Sequence, residues 1–97
     1  MLVERREHRM KPGTVEQALA LVKETMSFPK CPQAKCVYRS RIGPGDTVTI
    51  EWEWESLAQY EKAWAEFSAT PGWASFLKKW TPIAEELKTE IWTVVPM

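Results

Sequence analysis

From Thr47 to Trp54 the chain alternates strictly between polar and apolar residues, Thr-Val-Thr-Ile-Glu-Trp-Glu-Trp, as a strand with one apolar and one charged face does. The alternation stops at Glu55. Ser56-Leu57-Ala58-Gln59 follows as a capping box, in which a hydroxyl and an amide three residues later satisfy free backbone donors at a helix start. The strand therefore hands over to a helix, predicted over 57–69 with Leu57, Tyr60, Trp64 and Phe67 on one stripe. Residues 2–10 alternate in the same way before Lys11-Pro12-Gly13 interrupts them. Thr14-Val15-Glu16-Gln17 is a second capping box, and the helix it opens keeps Val15, Ala18, Leu19, Val22 and Met26 on the 3.6-residue period until Pro29 and Pro32 end it. A further strand is predicted at 35–42, joined by Gly43-Pro44-Gly45-Asp46 to the 47–54 strand as a hairpin. Thr70-Pro71 and Thr81-Pro82 each put a capping residue before a proline, which predicts two short helices carrying Trp73, Phe76, Leu77, Trp80, Ile83 and Leu87. Residues 89–95 close as a last strand.

The order β-α-β-β-α-β, without internal repeat or linker, predicts one α+β domain over 1–97: a ferredoxin-like four-stranded antiparallel sheet with helices on one face. Alternation assigns the faces. In 47–54 the even-numbered Val48, Ile50, Trp52 and Trp54 are apolar and should meet the helices. By the same parity that face also holds Glu4, Arg6 and His8 from the first strand, and Cys36, Tyr38, Ser40 and Ile42 from the second. Polar groups buried there must be paired, hydrogen-bonded or turned into a pocket. Either Glu4, Arg6 and His8 form a closed salt-bridged cluster, or Arg6 and His8 bind an anionic or carbonyl oxygen. In the second case Glu4 neutralises Arg6, Tyr38 and Ser40 contribute, and Trp52, Trp54 and Trp64 wall the pocket. The odd face carries Arg5, Glu7 and Arg9, then Arg39 and Arg41, then Glu51 and Glu53, opposite charges on neighbouring strands that suit cross-strand pairing or a charged interface. Trp92 is assigned to neither face by its pattern.

Composition narrows the partners. Thirteen basic and thirteen acidic side chains cancel, which argues against a nucleic-acid footprint or a polybasic membrane patch. Neither a signal-like apolar segment at the start nor a membrane-length apolar run is present, so a soluble cytoplasmic protein is expected. Cys31 and Cys36 lack the further ligands of a zinc site, so no metal is expected and the pair reads as reduced thiols. Six tryptophans and the small size favour a homodimer, with aromatic surface at an interface or a pocket wall.

The first strand ending in Met10-Lys11-Pro12-Gly13 with its capped helix, and the Trp54-Glu55-Ser56 junction into the second helix, resemble the dimeric α+β barrel superfamily. That superfamily includes the NIPSNAP-like proteins and the antibiotic-biosynthesis-monooxygenase family. The resemblance implies a homodimer whose sheets pack face to face, with a small-molecule pocket in each subunit; the odd face of Arg5, Glu7, Arg39, Arg41, Glu51 and Glu53 would then be the interface, and no cofactor is expected. It also implies that enzymes of the superfamily work with an asparagine on the first strand, a tryptophan on the second helix and, for haem, a histidine ligand. Here the strand position is Arg6, the chain has no asparagine, the single histidine is His8, and Trp64 falls near the tryptophan. Three classes of function follow. The first is a homodimeric binder of a small aromatic or carbonyl-containing molecule. The second is a cofactor-independent monooxygenase or isomerase of an aromatic or polyketide-like substrate, with His8 as general base and Arg6 stabilising an enolate oxygen. The third is an interaction module using the charged sheet face.

Overall fold

The Ser56 hydroxyl accepts from the Gln59 amide at 3.1 Å, and the Gln59 side chain in turn accepts from the Glu55 amide at 2.6 Å. Strand and helix therefore meet at the predicted boundary. The computed structural model describes residues 1–97. Its elements are β1 (Leu2–Met10), α1 (Val15–Thr25), β2 (Cys36–Arg39), β3 (Thr47–Trp54), α2 (Leu57–Ser68), α3 (Pro71–Trp80) and β4 (Ala84–Thr93). The strands pair antiparallel in the order β2-β3-β1-β4, the ferredoxin-like arrangement, with the helices over one face of the sheet. Gly13 takes φ +82° in the turn leaving β1, a conformation that costs a residue without Cβ little.

The parity assigned to β1 and β3 holds. Their register pairs Glu4 with Trp52, Arg6 with Ile50 and His8 with Val48, and the even residues of both strands face the helices, all buried except half-buried Leu2 and Arg6. Met10, Ala18, Val48 and Phe67 are the most deeply buried apolar residues, and Trp52, Trp54 and Trp80 complete the core around them.

Five expectations need correction. Thr14 does not cap α1: its hydroxyl donates backwards to the Lys11 carbonyl at 2.6 Å, closing the turn in place of the helix end. The strand expected at 35–42 is only Cys36–Arg39, and its register pairs Val37 with Ile50 and Tyr38 with Thr49. Odd residues of β2 thus share the face of even residues of β3, because an irregular connection of seven residues (40–46) sets this register, and parity does not carry across it. Tyr38 and Cys36 therefore lie on the open face and Arg39 on the helix side, where it pairs with Glu16 of α1. Finally, the chain forms one helix after Thr70-Pro71, not two. The Thr70 hydroxyl accepts from the Trp73 amide, but Thr81-Pro82 ends the helix. From Ala84 the chain pairs along the free edge of β1 for ten residues, several earlier than the pattern suggested. Backbone pairing with β1 outweighs the local cap signal, and a bulge at Glu85 absorbs the register shift between Arg9 and Met10.

Candidate functional site

Glu4 sits in the first half of β1, facing the helices, with no exposed surface. A buried carboxylate needs partners, and three side chains supply them. Its Oε1 accepts from the indole N–H groups of Trp54 at 2.9 Å and Trp64 at 2.7 Å, while its Oε2 is ion-paired with Arg6 Nε. The Arg6 guanidinium lies over the Trp64 ring, 4.2 Å from its centroid, and 5.6 Å from that of Trp52. Trp52 meets Trp64 edge to face at 5.1 Å and donates its own N–H to the Pro32 carbonyl at 3.2 Å. Strand alternation places Glu4 and Arg6 on one face, the paired register brings Trp52 and Trp54 beside them, and the stripe of α2 lowers Trp64 from above.

In front of this cluster lies a cavity of about 430 Å³ between the sheet and the helices. Arg6, His8, Ile50 and Trp52 form its floor, Val22 and Met26 of α1 and Trp64 and Phe67 of α2 its sides, and Trp73, Phe76, Leu77 and Trp80 of α3 its roof. The aromatic rings are continuous. Trp73 stacks on Phe76 at 5.6 Å, Phe76 stacks on Trp80 at 4.9 Å, and Trp80 meets the His8 imidazole edge to face at 5.0 Å. The opening is rimmed by Thr81 and by Glu85, Glu86 and Leu87 of β4, where Arg9 pairs with Glu85 at 3.4 Å and Glu86 at 3.1 Å.

The polar atoms left free in this apolar volume are few. Arg6 commits Nε to Glu4, and its terminal nitrogens have no partner in the chain. His8 makes no hydrogen bond within the chain, yet no fully occluded side-chain nitrogen lacks a partner, so the imidazole nitrogens open onto the cavity. Burial first, and the Arg6 charge second, push the His8 pKa down from 6.5 to about 4. Cys31 also borders the cavity. Burial pushes its thiol up to about 11, so it is not a thiolate nucleophile near neutral pH. No group of three His, Cys, Asp or Glu side chains is placed to hold a metal ion.

Of the residues expected at the site, the fold brings Arg6, His8, Trp52 and Trp64 together around the cavity, with Glu4 directly behind them. Trp54 stands on the far side of Glu4 and touches the site only through that carboxylate. Tyr38 is on the opposite face, its hydroxyl donating to Glu51 at 3.0 Å, and Ser40 lies past the end of β2. Neither reaches the cavity, for the register reason given above. The α3 aromatics belong to the site although alternation in the strands gave no sign of it. Their signal is the spacing Trp73, Phe76, Leu77, Trp80, one stripe of a single helix.

On the open face Arg5 bonds Glu51 at 3.2 Å, and Glu7 lies between Thr49 and Lys88. Glu53 is exposed beside Val3. Arg39 is absent from that face, and Arg41 stands in the exposed connection between β2 and β3, so the expected pairing of second-strand arginines with Glu51 does not form, and Cys36 lies opposite Glu51. Trp92 pairs with Val3 and lies on the open face, 56% exposed.

Comparison with known proteins places this arrangement. The NIPSNAP family model matches residues 3–97. A crystal structure of a protein from Agrobacterium tumefaciens superposes with a TM-score of 0.87 at 26% identity, over 98% of this chain and 94% of that one. A second crystal structure of that protein describes it as a NIPSNAP family protein of unknown function. An uncharacterised NIPSNAP domain protein from Burkholderia xenovorans follows, with a TM-score of 0.85 at 20% identity, over all of this chain and 95% of that one. An antibiotic biosynthesis monooxygenase shares the fold with a TM-score of 0.68 at 15% identity, over 99% of this chain and all of that one. No curated protein matches the sequence. With the family model spanning nearly every residue and the β2-β3-β1-β4 sheet in place, the chain belongs to the NIPSNAP family.

Proposed function

We propose that the protein binds a small, flat, largely apolar molecule bearing an oxygen acceptor, in the cavity between sheet and helices. One observation carries this reading: an aromatic-walled volume of about 430 Å³ onto whose floor the Arg6 terminal nitrogens and the His8 imidazole open without a partner in the chain, with the Thr25 and Thr81 hydroxyls as further polar groups of the lining. Such a site gives an apolar body its wall and a single oxygen its donors, the usual division of labour in ligand pockets. Arg6 donates, His8 donates from whichever nitrogen carries its proton, and Trp64 and Trp52 hold the guanidinium plane in place. The same reading takes the protein as a homodimer joined through the open sheet face, where Trp92 and Tyr38 are exposed apolar surface beside the Arg5–Glu51 pair.

Catalysis by the same groups, with His8 as general base in a cofactor-independent oxygenation or isomerisation, is the weaker reading. An imidazole with a pKa of about 4 is neutral throughout the neutral range but accepts a proton poorly there, since general bases work best with pKa values near the working pH. His8 is better suited to hydrogen bonding than to proton abstraction.

The test is a tryptophan fluorescence titration with planar ketones and phenols. Saturable quenching is expected, weakened roughly tenfold in His8→Ala through the lost hydrogen bond. Absence of saturable quenching across such a panel would reject the reading.

A further inference from the structure

We propose that this cavity selects an uncharged ligand and rejects an anion of the same shape, because Glu4 has already neutralised Arg6 behind the cavity wall. The inference rests on the binding reading above and specifies the ligand's charge. An arginine in a pocket ordinarily suggests a carboxylate or phosphate partner. Here that partner is built into the protein. Glu4 is wholly buried and fixed by two indole N–H groups as well as by Arg6, so an incoming anion cannot displace it without leaving those donors unpaired.

The remaining charges point the same way. The charged residues at the cavity are Arg6, Glu85 and Glu86, and Glu86 turns its carboxylate to Arg9 on the open side of the sheet. Arg6 and Glu4 cancel, and Glu85 and Glu86 both pair with Arg9, so the site carries no net positive charge. A carboxylate would thus be stripped of water to enter a site with no net positive charge to offset the loss. A carbonyl oxygen needs only a donor, and the Arg6 terminal nitrogens provide it at no such cost. A cation meets the Arg6 guanidinium on the cavity floor, and Arg6 already lies over the Trp52 and Trp64 rings. Ketones, quinones, amides and esters on a flat ring system remain.

Equilibrium dialysis of the intact protein against methyl naphthyl ketone, naphthoate and naphthylmethylammonium, all substituted at the same ring position, separates the possibilities. The ketone is expected to bind at least about tenfold more tightly than either ion. In Glu4→Gln the Arg6 charge is uncancelled, and preference should move towards naphthoate. If the wild type binds naphthoate as tightly as the ketone, or more so, the charge selection is overturned while the binding reading stands. If it binds none of the three, both fall. An unchanged ketone preference in folded Glu4→Gln would also overturn the role given to Glu4. Should that variant not fold, the wild-type ratio alone decides.

Discussion

At Glu4 and His8 the sheet buries two ionisable side chains where its pattern alone would have put leucine or valine. Removing the Glu4 carboxylate by Glu4→Leu strands Arg6 and the N–H groups of Trp54 and Trp64 in the interior, and should destabilise the fold by about 3–5 kcal/mol in denaturant titrations. His8 makes stability pH-dependent. Between 6.5 and about 4 the unfolded chain binds a proton that folded His8 refuses. Stability is therefore complete above about pH 6.5 and is lost as pH falls towards 4, by about 3 kcal/mol. His8→Gln should flatten the dependence over that window, and an unchanged slope would show that other groups set it. Strand alternation made both residues legible as inward-facing. It could not distinguish a closed ion cluster from a pocket, because that depends on how far the helices stand off the sheet, and the answer is partly both: Glu4 is sealed, while Arg6 and His8 face open volume.

The elements were legible wherever a local signal and a long-range partner agreed. The β1 and β3 boundaries and the cap at Ser56 follow from the sequence because burial of one face and the cap chemistry demand the same register. The face of β2 is not legible because its register is set by a connection that carries no periodicity, nor is the first half of β4, Ala84 to Lys88, which does not alternate and is fixed by the edge of β1. Caps can be compared directly. Ser56→Ala and Thr70→Ala each remove an observed cap bond and should cost about 1 kcal/mol by thermal or chemical unfolding. The Thr14 hydroxyl instead closes the turn leaving β1 through the Lys11 carbonyl, so Thr14→Ala tests that turn and not the end of α1.

Across the whole molecule, one face of the sheet faces a cavity and the other is uncovered. The uncovered face combines exposed Trp92 and Tyr38 with cross-strand charge pairs, the composition of a surface that associates. Light scattering at micromolar concentration should report about twice the 11.2 kDa chain mass, and Trp92→Glu should shift it towards the monomer. A wild-type monomer would remove the barrel assembly from the account without touching the pocket. The pocket itself is drawn from β1, β3, β4 and all three helices, which is why no single motif announces it. Its most direct test is a crystal structure of the protein soaked with methyl naphthyl ketone. The account predicts the ring system between Trp64 and the α3 aromatics, with the ketone oxygen within hydrogen-bond reach of an Arg6 terminal nitrogen or the His8 imidazole. A cavity closed by its own side chains, or a ketone bound only outside it, would contradict the account.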